Sequence, residues 1–536
     1  MKQHEALSDA LAALGVPVVF GLVGDANLFQ IDDWVRRYGG RYVSVAHENA
    51  AVLAAGGYAS VTDEVGIASI THGPALTNTV TALVDLVRAG LPVVVIAGST
   101  DPADPGHLQY VDQSALVLAT GARYERAVVP DRIGADLARS IRLARAERRP
   151  VVLDVPAQHQ WLDVGEAVAP RALTPSPVVH PDPASVEDAV GVLASARRPV
   201  LVAGRGARHA RDELERLAAR LGAPVATSVR GKGLFDAHPH DLGIMGTLSH
   251  EVASEVLAEA DVVVAFGASL NGFTTASGGW LGGKRVVQVD DRAVALGRWS
   301  TPDVAVLGDA AVVAGAMTAL LEEADVPPTA FASPGLATRL ATQRAAEPAP
   351  PVAGGDTVPT LRALRRVDEL VPADRVLVID DGRFMLSAFT AVGVRRPGDY
   401  VHGACFASIG LSLGYAVGAA AAAPDRTVLV VTGDGGFVNG GLAEFSSAVR
   451  HQMRVVVVVM NDGAYGAEHM QFTARDLDPS ISCLDWPDLA PVAAALGGTG
   501  HTARTEDELV RALREPGAGP VLIDVRLDPD EVPGTR

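Results

Sequence analysis

Short valine-rich runs recur along the chain and alternate with segments that have helical spacing. The runs are apolar on both faces, which is typical of strands buried in a parallel sheet. They lie at residues 16–20, 92–97, 151–155, 200–203, 262–266, 286–289, 376–379, 427–431 and 455–460. Between them lie segments such as 212–221, where leucine and alanine are spaced as on an amphipathic helix. Strands that alternate with helices predict an α/β fold with doubly wound parallel sheets.

Two proline-rich stretches divide this pattern into three blocks. Residues 165–184 contain five prolines, and residues 326–359 contain seven. Proline at this density removes backbone donors and stops helices, so both stretches are expected to be linkers. The sequence therefore predicts three consecutive α/β domains. They cover residues 1–165, 185–325 and 360–536.

Composition narrows the class of protein. A chain of 536 residues is too long for one hydrophobic core, and its 48% hydrophobic and 20% charged residues are typical of a soluble globular protein. The net charge of -18 argues against a nucleic-acid partner and against anionic membrane surfaces. The only cysteines are Cys405 and Cys483, which favours a reducing compartment. Residues 1–10 lack the apolar core of a signal peptide, and no apolar run is long enough to span a membrane. A cytoplasmic protein is expected.

The most informative motif is Gly433-Asp434-Gly435-Gly436, which follows a predicted buried strand. A helix is expected from about residue 441. Glycines at the carboxyl end of a strand let backbone N–H groups approach a phosphate, and a following helix N-terminus favours its charge. Asp434 supplies the kind of hard oxygen ligand that Mg²⁺ prefers. The motif therefore predicts a diphosphate and metal site.

The next strand ends in Asn461-Asp462-Gly463-Ala464. Because successive parallel strands open on one edge of a sheet, this loop and Asp434 are expected to lie close together. Either loop alone is more typical of an ordinary strand-end turn. Together, on successive strands, they favour a shared metal site.

These motifs resemble the thiamine-diphosphate enzymes of the acetolactate synthase, pyruvate decarboxylase and benzoylformate decarboxylase superfamily, over nearly the whole chain. The resemblance implies thiamine diphosphate and Mg²⁺, with Asp434, Asp462 and the carbonyl of Ala464 as protein ligands. The family usually has Asn-Asn where this chain has Asn461-Asp462, and Asn461 is the competing ligand. Asp462 follows Asp434 by 28 residues. This is one more than is usual, which points to an extra residue around 438–441.

Four further residues are assigned to the cofactor by the same resemblance. Glu48, at the start of a predicted alanine-rich helix, would activate the cofactor's aminopyrimidine ring. Without the resemblance it is more typical of a first-turn acid that complements the helix dipole, and the resemblance reverses this preference. Ile409 matches the apolar residue that bends the cofactor. Gly382 and Arg383 occupy another diphosphate-binding turn, although Arg383 is unusual there and equally typical of a solvated surface residue.

The substrate pocket mixes the features of several subfamilies. Asp25 and Glu468 resemble the two active-site acids of pyruvate decarboxylases, with a turn aspartate and a solvated glutamate as the competing interpretation. Gln109 resembles the pocket glutamine of acetolactate synthases and benzaldehyde lyase. His72 lies one position beyond the histidine of benzoylformate decarboxylase.

The function implied is a 2-oxo acid decarboxylase or carboligase of acetolactate-synthase type, acting through a C2 ylid and an enamine. Alternatives are a hydroxy-ketone or 2-hydroxyacyl-CoA lyase and, in another class, a flavin-dependent 2-oxo acid oxidase. The central block carries Gly204-Arg205-Gly206, a weak dinucleotide signal, and FAD is not predicted. Family geometry places Glu48 and Asp434 of one site on different subunits. A homodimer or a dimer of dimers is therefore implied.

Overall fold

The computed structural model describes residues 1–101, 103–165, 170, 177–345 and 356–531. The chain forms two compact units. The first contains the N-terminal and C-terminal blocks of the described chain, and the second contains residues 177–345 together with 389–400.

The N-terminal block is one six-stranded parallel sheet with helices on both faces. Its strands are β1 Val18–Gly21, β2 Arg41–Ser44, β3 Gly66–Ile70, β4 Val93–Ser99, β5 Arg123–Arg126 and β6 Val151–Pro156. Its helices are α1 Gln3–Ala13, α2 Leu28–Tyr38, α3 Glu48–Thr62, α4 Pro74–Thr77, α5 Val80–Ala89, α6 Gln113–Ala119 and α7 Ile133–Glu147. The strand order is β2-β1-β3-β4-β6-β5.

The central block is a second parallel sheet. Its elements are α8 Pro183–Ala194, β7 Pro199–Ala203, α9 Arg211–Leu221, β8 Val225–Thr227, β9 Asp241–Ile244, α10 Glu251–Glu259, β10 Val262–Phe266, β11 Arg285–Asp290, β12 Val304–Leu307, α11 Ala310–Glu323 and α12 Pro334–Ala345. The order β12-β11-β10-β7-β8-β9 is that of dinucleotide-binding folds. Nevertheless, a Cβ at Gly204 would lie 2.2 Å from the carbonyl oxygen of Gly267. The crossing of these two loops is enough to require a glycine there, with or without a nucleotide.

The C-terminal block is the third parallel sheet. Its elements are α13 Thr360–Leu370, β13 Arg375–Ile379, α14 Met385–Ala391, β14 Tyr400–His402, α15 Ser412–Ala422, β15 Thr427–Gly433, α16 Asp434–Gly436, α17 Leu442–Arg450, β16 Val455–Asn461, α18 Gly466–Thr473, α19 Leu489–Ala495, β17 Thr499–Ala503, α20 Glu506–Arg514 and β18 Val521–Arg526. Its order, β14-β13-β15-β16-β18-β17, repeats that of the N-terminal sheet.

The predicted α/β class is confirmed, and all nine valine-rich runs are strands. The linker predictions are partly wrong, because α12 lies inside 326–359 and α8 begins inside 165–184. Both helices begin with a proline, Pro334 and Pro183, where the missing N–H breaks no helical hydrogen bond. The rest of these stretches includes residues 166–169, 171–176 and 346–355, which lie outside the described residues.

Helices α3 and α15 join the two sheets of the first unit. Both helices are rich in alanine and glycine; α15 is almost entirely buried, and α3 is buried from Ala50 to Gly57. A Cβ at Gly418 would lie 1.8 Å from the carbonyl oxygen of Ala54, and one at Gly57 would lie 2.1 Å from that of Tyr415. The glycines therefore let the two backbones touch, and this contact fixes the helix that begins at Glu48.

Across the described part of the chain, no helix has both the length and the apolar character needed to cross a membrane.

Candidate active site

Asp434 and Asp462 follow neighbouring strands that end at one edge of the C-terminal sheet, where Gly433 of β15 pairs with Met460 of β16. The Asp434 side chain is buried, at 2% exposure, and its Oδ2 atom has no protein hydrogen-bond partner. Burial, together with the nearby charge of Asp462, raises the pKa of Asp434 to about 7. A buried acid with a free oxygen beside a second acid is a favourable place for a cation.

Asp462 is held in place from two sides. Its Oδ1 atom accepts a hydrogen bond from the backbone N–H of Ala464 at 3.1 Å, and its Oδ2 atom lies 2.9 Å from Nε of Arg383. Burial raises the pKa of Asp462, and the Arg383 charge opposes this shift. Arg383 is itself only 3% exposed in its side chain, so its interpretation as a solvated surface residue is wrong.

Asn461, the competing ligand, is engaged at both ends of its amide. Its Nδ2 atom donates to Asp524 at 2.8 Å, and its Oδ1 atom accepts from the backbone N–H of Gly463 at 3.1 Å. These bonds tie together the ends of β16 and β18. Both oxygens of Asp462 also have partners, but its carboxylate carries a charge and further lone pairs that the single amide oxygen of Asn461 lacks, which favours Asp462 as the metal ligand.

The donor set fits Mg²⁺, which takes carboxylate and carbonyl oxygens. Two carboxylates and the carbonyl of the buried residue Ala464 are available at this edge. Within the described ranges there is no group of three His, Cys, Asp or Glu side chains placed to hold a metal. A cation here therefore depends on main-chain, diphosphate or water oxygens to complete its coordination.

The diphosphate loop leads directly into a helix, which begins at Asp434 rather than near residue 441 as predicted. The loop's own glycines adopt helical geometry, so the helix N-terminus lies at the edge where the sequence predicted a phosphate site. A Cβ at Gly435 would lie 2.8 Å from the ring of Tyr465, which leaves no space for a side chain. Gly433 and Gly436 are the cap and the third residue of this first turn.

A π turn follows the first helical turn and covers Phe437–Gly441. A π turn is the local geometry by which a helix takes in one additional residue, and such turns are frequent at functional sites. It coincides with the extra residue expected around 438–441. Here Gly440 packs on Gly410, next to Ile409, since a Cβ at Gly440 would lie 2.2 Å from the Gly410 carbonyl oxygen.

Ile409 lies beside the diphosphate loop. Its Cδ1 atom is 3.9 Å from the position that a Cβ of Gly435 would take. Gly410 follows it with φ +82°, a left-handed conformation that turns the chain into α15. Gly382 has φ +147° and places Arg383 toward Asp462. The structure thus brings Ile409, Gly382 and Arg383 to the predicted edge of the sheet.

Asp380 is a residue of this edge that the sequence did not single out. It is completely buried and accepts hydrogen bonds from the hydroxyls of Ser412 and Thr432 and from the backbone N–H groups of Asp381 and Gly410. Burial raises its pKa to about 6 despite these bonds. This carboxyl group joins the ends of β13 and β15 to the loop of Ile409. The only sequence signal was its position after a buried strand.

Glu48 is the first residue of α3 and is half-buried. Its Oε2 atom accepts a hydrogen bond from Nδ2 of Asn78 at 3.0 Å. The loop before it is held by a second residue that the sequence did not reveal, the buried Glu444 of α17, whose carboxylate accepts from the backbone N–H of Ala46. Glu48 is thus presented at the carboxyl edge of the N-terminal sheet by α3 and α17.

Three predicted pocket residues meet at that same edge. The Thr71 hydroxyl donates to Asp25 at 2.9 Å, and Nδ1 of His72 lies 3.6 Å from the same carboxylate. His72 is buried, and its Nε2 atom has no partner. The backbone of Gln109 lies against Gly73, where a Cβ would be 2.2 Å from its carbonyl oxygen. The Asp25 side chain is 71% exposed.

Glu468 lies apart from this cluster in one chain. It is exposed on α18, and its charge adds to burial in raising the pKa of Asp381 in the C-terminal block. Among the described residues, no hydrogen bond or ion pair joins Glu468 to Asp25. The structure of the single chain therefore does not pair these two acids.

Comparison with known proteins identifies the family of the chain. Three domains of thiamine pyrophosphate enzymes match it: the N-terminal TPP binding domain at residues 1–116, the central domain at 186–317 and the C-terminal TPP binding domain at 380–525. Thiamine pyrophosphate is another name for thiamine diphosphate.

Proteins related to this chain along nearly its full length carry different activities in their names. A putative acetolactate synthase large subunit of Mycobacterium tuberculosis is 28% identical over 97% of this chain and 96% of its own length. A probable 2-ketoarginine decarboxylase of Pseudomonas aeruginosa is 30% identical over 97% of this chain and 93% of its own. A sulfoacetaldehyde acetyltransferase of Alcaligenes xylosoxydans xylosoxydans is 28% identical over 96% of this chain and 90% of its own length. The chain belongs to the thiamine pyrophosphate enzyme family.

Proposed function

We propose that this protein is a thiamine-diphosphate- and Mg²⁺-dependent 2-oxo acid decarboxylase or carboligase of acetolactate-synthase type. The observation that carries the proposal is the pair of buried acids, Asp434 and Asp462, beside a helix N-terminus that has no side chain at Gly435. Asp434, Asp462 and the Ala464 carbonyl would hold Mg²⁺, and the loop N–H groups would hold the diphosphate.

The protein's own groups would orient the cofactor and move protons. Thiamine diphosphate, when bound, supplies a nucleophilic carbon and an electron sink next to the substrate carbonyl. Glu48 would hold the aminopyrimidine ring by a hydrogen bond and share a proton with it. Ile409, next to the loop glycines, would support the cofactor from below.

The cluster of Asp25, His72 and Gln109 would bind the substrate and handle its protons. The Thr71 hydroxyl lies 2.9 Å from Oδ1 of Asp25 and 3.3 Å from Nδ1 of His72, so it links the two side chains at this edge. The free Nε2 atom of His72 is available to a polar substrate group. Gln109 would contact the acceptor carbonyl when the product is a hydroxy ketone. Glu468, on α18 of the C-terminal block, would donate a proton to the substrate.

A homodimer, or a dimer of dimers, would complete the site. We infer that Glu48 of one subunit serves the cofactor held by Asp434 and Asp462 of the other. In this arrangement Glu468 of the second subunit faces Asp25 of the first, which accounts for their separation within one chain.

The related proteins support the class of reaction but not one substrate. Their names include an acetolactate synthase, a 2-ketoarginine decarboxylase and an acetyltransferase for sulfoacetaldehyde. One of these names, 2-ketoarginine decarboxylase, refers to a 2-oxo acid, which supports a 2-oxo acid as the proposed donor.

The test is to incubate the purified protein with thiamine diphosphate, Mg²⁺ and a panel of 2-oxo acids beginning with pyruvate. CO₂ release and products are followed by NMR. CO₂ with an aldehyde would indicate a decarboxylase, and CO₂ with acetolactate or another hydroxy ketone would indicate a carboligase. No CO₂ from any acid, with the cofactor shown to be bound, would overturn the proposal.

A further inference from the structure

The segment that follows β18, residues 527–531, is attached to the loop after β16 in two ways, through the backbone N–H of Leu527, which donates to the Asn461 carbonyl at 2.8 Å, and through the side chain of Arg383. Its Nη1 and Nη2 atoms donate to three main-chain carbonyl oxygens at 2.6 to 2.9 Å, those of Asp528, Pro529 and Glu531. Its Nε atom pairs with Asp462 at 2.9 Å. One guanidinium therefore joins the 527–531 segment to the carboxylate proposed as the second metal ligand.

Two further contacts hold the same segment. Nε2 of His469, on α18, lies 2.9 Å from Oδ1 of Asp530. The carboxylate of Glu531 accepts from the backbone N–H of Thr360 at 3.0 Å and from its hydroxyl at 2.8 Å. The segment thus bridges the first turn of α13 and the helix that carries Glu468.

The pair of Arg383 and Asp462 is buried, with side-chain exposures of 3% and 7%. A buried ion pair repays its desolvation only when the remaining donors are also satisfied. Arg383 meets this condition through the three carbonyl groups of the 527–531 segment. Without the segment, the guanidinium would lose most of its partners and its hold on Asp462 would weaken.

We propose that Arg383 is a positioning residue that makes the 527–531 segment part of the metal site. Docking of the segment fixes the Asp462 carboxylate through Arg383, and a cation bound by Asp434 and Asp462 in turn favours the docked segment, because coupling between sites is reciprocal. The proposal rests on the proposed function, since it takes the two acids as metal ligands.

The positive charge of Arg383 by itself acts against a neighbouring cation. Three carbonyl dipoles point their negative ends at the guanidinium and offset its charge. With its charge offset, the main effect of Arg383 is to orient the Asp462 carboxylate as a metal ligand. Loss of a residue that holds a metal ligand typically costs about 10- to 100-fold in metal affinity.

The experiment measures Mg²⁺ affinity by calorimetry in the presence of saturating thiamine diphosphate, and hydrogen exchange of the 527–531 segment with and without Mg²⁺. Arg383→Gln is expected to weaken Mg²⁺ binding about tenfold or more and to abolish the protection that Mg²⁺ gives the segment. Arg383→Lys, which keeps the charge but loses the fork of donors, should recover only part of the affinity. Arg426→Gln is the matched control, since Arg426 pairs with Asp374 at the opposite edge of the sheet.

Asp530→Asn tests the coupling without altering Arg383, because it weakens the contact of the segment with His469 at a side chain that is 76% exposed. It should weaken Mg²⁺ binding in the native protein but have no further effect in the Arg383→Gln background. Additive effects, or an unchanged Mg²⁺ affinity in Arg383→Gln, would overturn the proposal. Failure of the native protein to bind Mg²⁺ with thiamine diphosphate would instead overturn the proposed function.

Discussion

Asp380 and Asp434 are both buried at the carboxyl edge of the C-terminal sheet, but their surroundings differ. Asp380 accepts hydrogen bonds from hydroxyl and backbone donors on both oxygens, whereas Asp434 keeps one oxygen without a partner. A fully bonded buried acid organises the protein around it. An acid with a free buried oxygen is the one whose surroundings favour a ligand.

Asp380→Asn should change how stability depends on pH. Burial raises the pKa of Asp380 from 3.8 to about 6, so the folded protein holds this proton more tightly than the unfolded chain. The contribution of Asp380 to the free energy of unfolding is therefore most favourable at low pH. It falls by roughly 3 kcal/mol in all as the pH rises from about 4 to about 6. From about pH 4 to about pH 6, the native protein should lose stability relative to Asp380→Asn. Above about pH 6, the stability curves of the two proteins should run parallel.

Denaturation midpoints in urea, measured from pH 4 to pH 8, would reveal this difference. Asp478→Asn is the control, because hydrogen bonds from Ser480 lower the pKa of Asp478, so its effect on stability lies below about pH 4 and its curve should run parallel to the native one from pH 4 to pH 8. Parallel curves for the native protein and Asp380→Asn over the whole range would contradict the assignment.

At the scale of elements, the contact between α3 and α15 controls the position of Glu48. Gly418→Ala places a Cβ 1.8 Å from a backbone oxygen of α3, so the helices must separate. We expect a loss of about 1–3 kcal/mol in the stability of the first unit. Gly191→Ala is a matched control, because Gly191 also lies in a helix but a Cβ there has no atom within 4 Å.

Thermal unfolding would compare the two variants. Gly191→Ala should be neutral or slightly stabilising, since alanine is the better helix former. Equal melting temperatures for Gly418→Ala and the native protein would mean that the helix contact is not tight.

Buried strands were predictable because valine-rich runs such as 262–266 have no other stable place in a soluble α/β protein. Edge strands were harder to predict. Strand β5 has the sequence Arg-Tyr-Glu-Arg and is half-exposed, so it lacks the apolar pattern of a buried strand. The helix α12 was hidden by its prolines, because proline density does not reveal which proline begins a helix.

The candidate site was predictable where chemistry follows the strand ends, as with Asp434, Asp462 and the glycines. It was not predictable where a role depends on distant contacts. Arg383 reads as a surface residue until the 527–531 segment and Asp462 surround it. Asp380 has no sequence signal beyond its place after a buried strand, because its role depends on three donors from distant elements, Gly410, Ser412 and Thr432.

At the scale of the whole molecule, the proposal that two subunits share each site predicts that two inactive variants can complement each other. Glu48→Gln and Asp434→Asn should each be inactive as homodimers. After mixed subunits are exchanged, half of the dimers should be hybrids with one intact site, which gives about a quarter of native activity for a symmetric dimer. Activity would be followed by CO₂ release, with each variant re-equilibrated alone as the control. No recovery, with hybrid dimers shown to form, would mean that both residues serve the site of one chain.

The central claim is that this chain binds thiamine diphosphate through Asp434 and Asp462 and activates it through Glu48. The most direct measurement is the rate at which the C2 hydrogen of the bound cofactor exchanges with D₂O, followed by NMR in the presence of Mg²⁺ and without substrate. We predict exchange at least about 100-fold faster than in free thiamine diphosphate, with most of the gain lost in Glu48→Gln. Exchange at the rate of the free cofactor, with binding shown by calorimetry, would contradict the account.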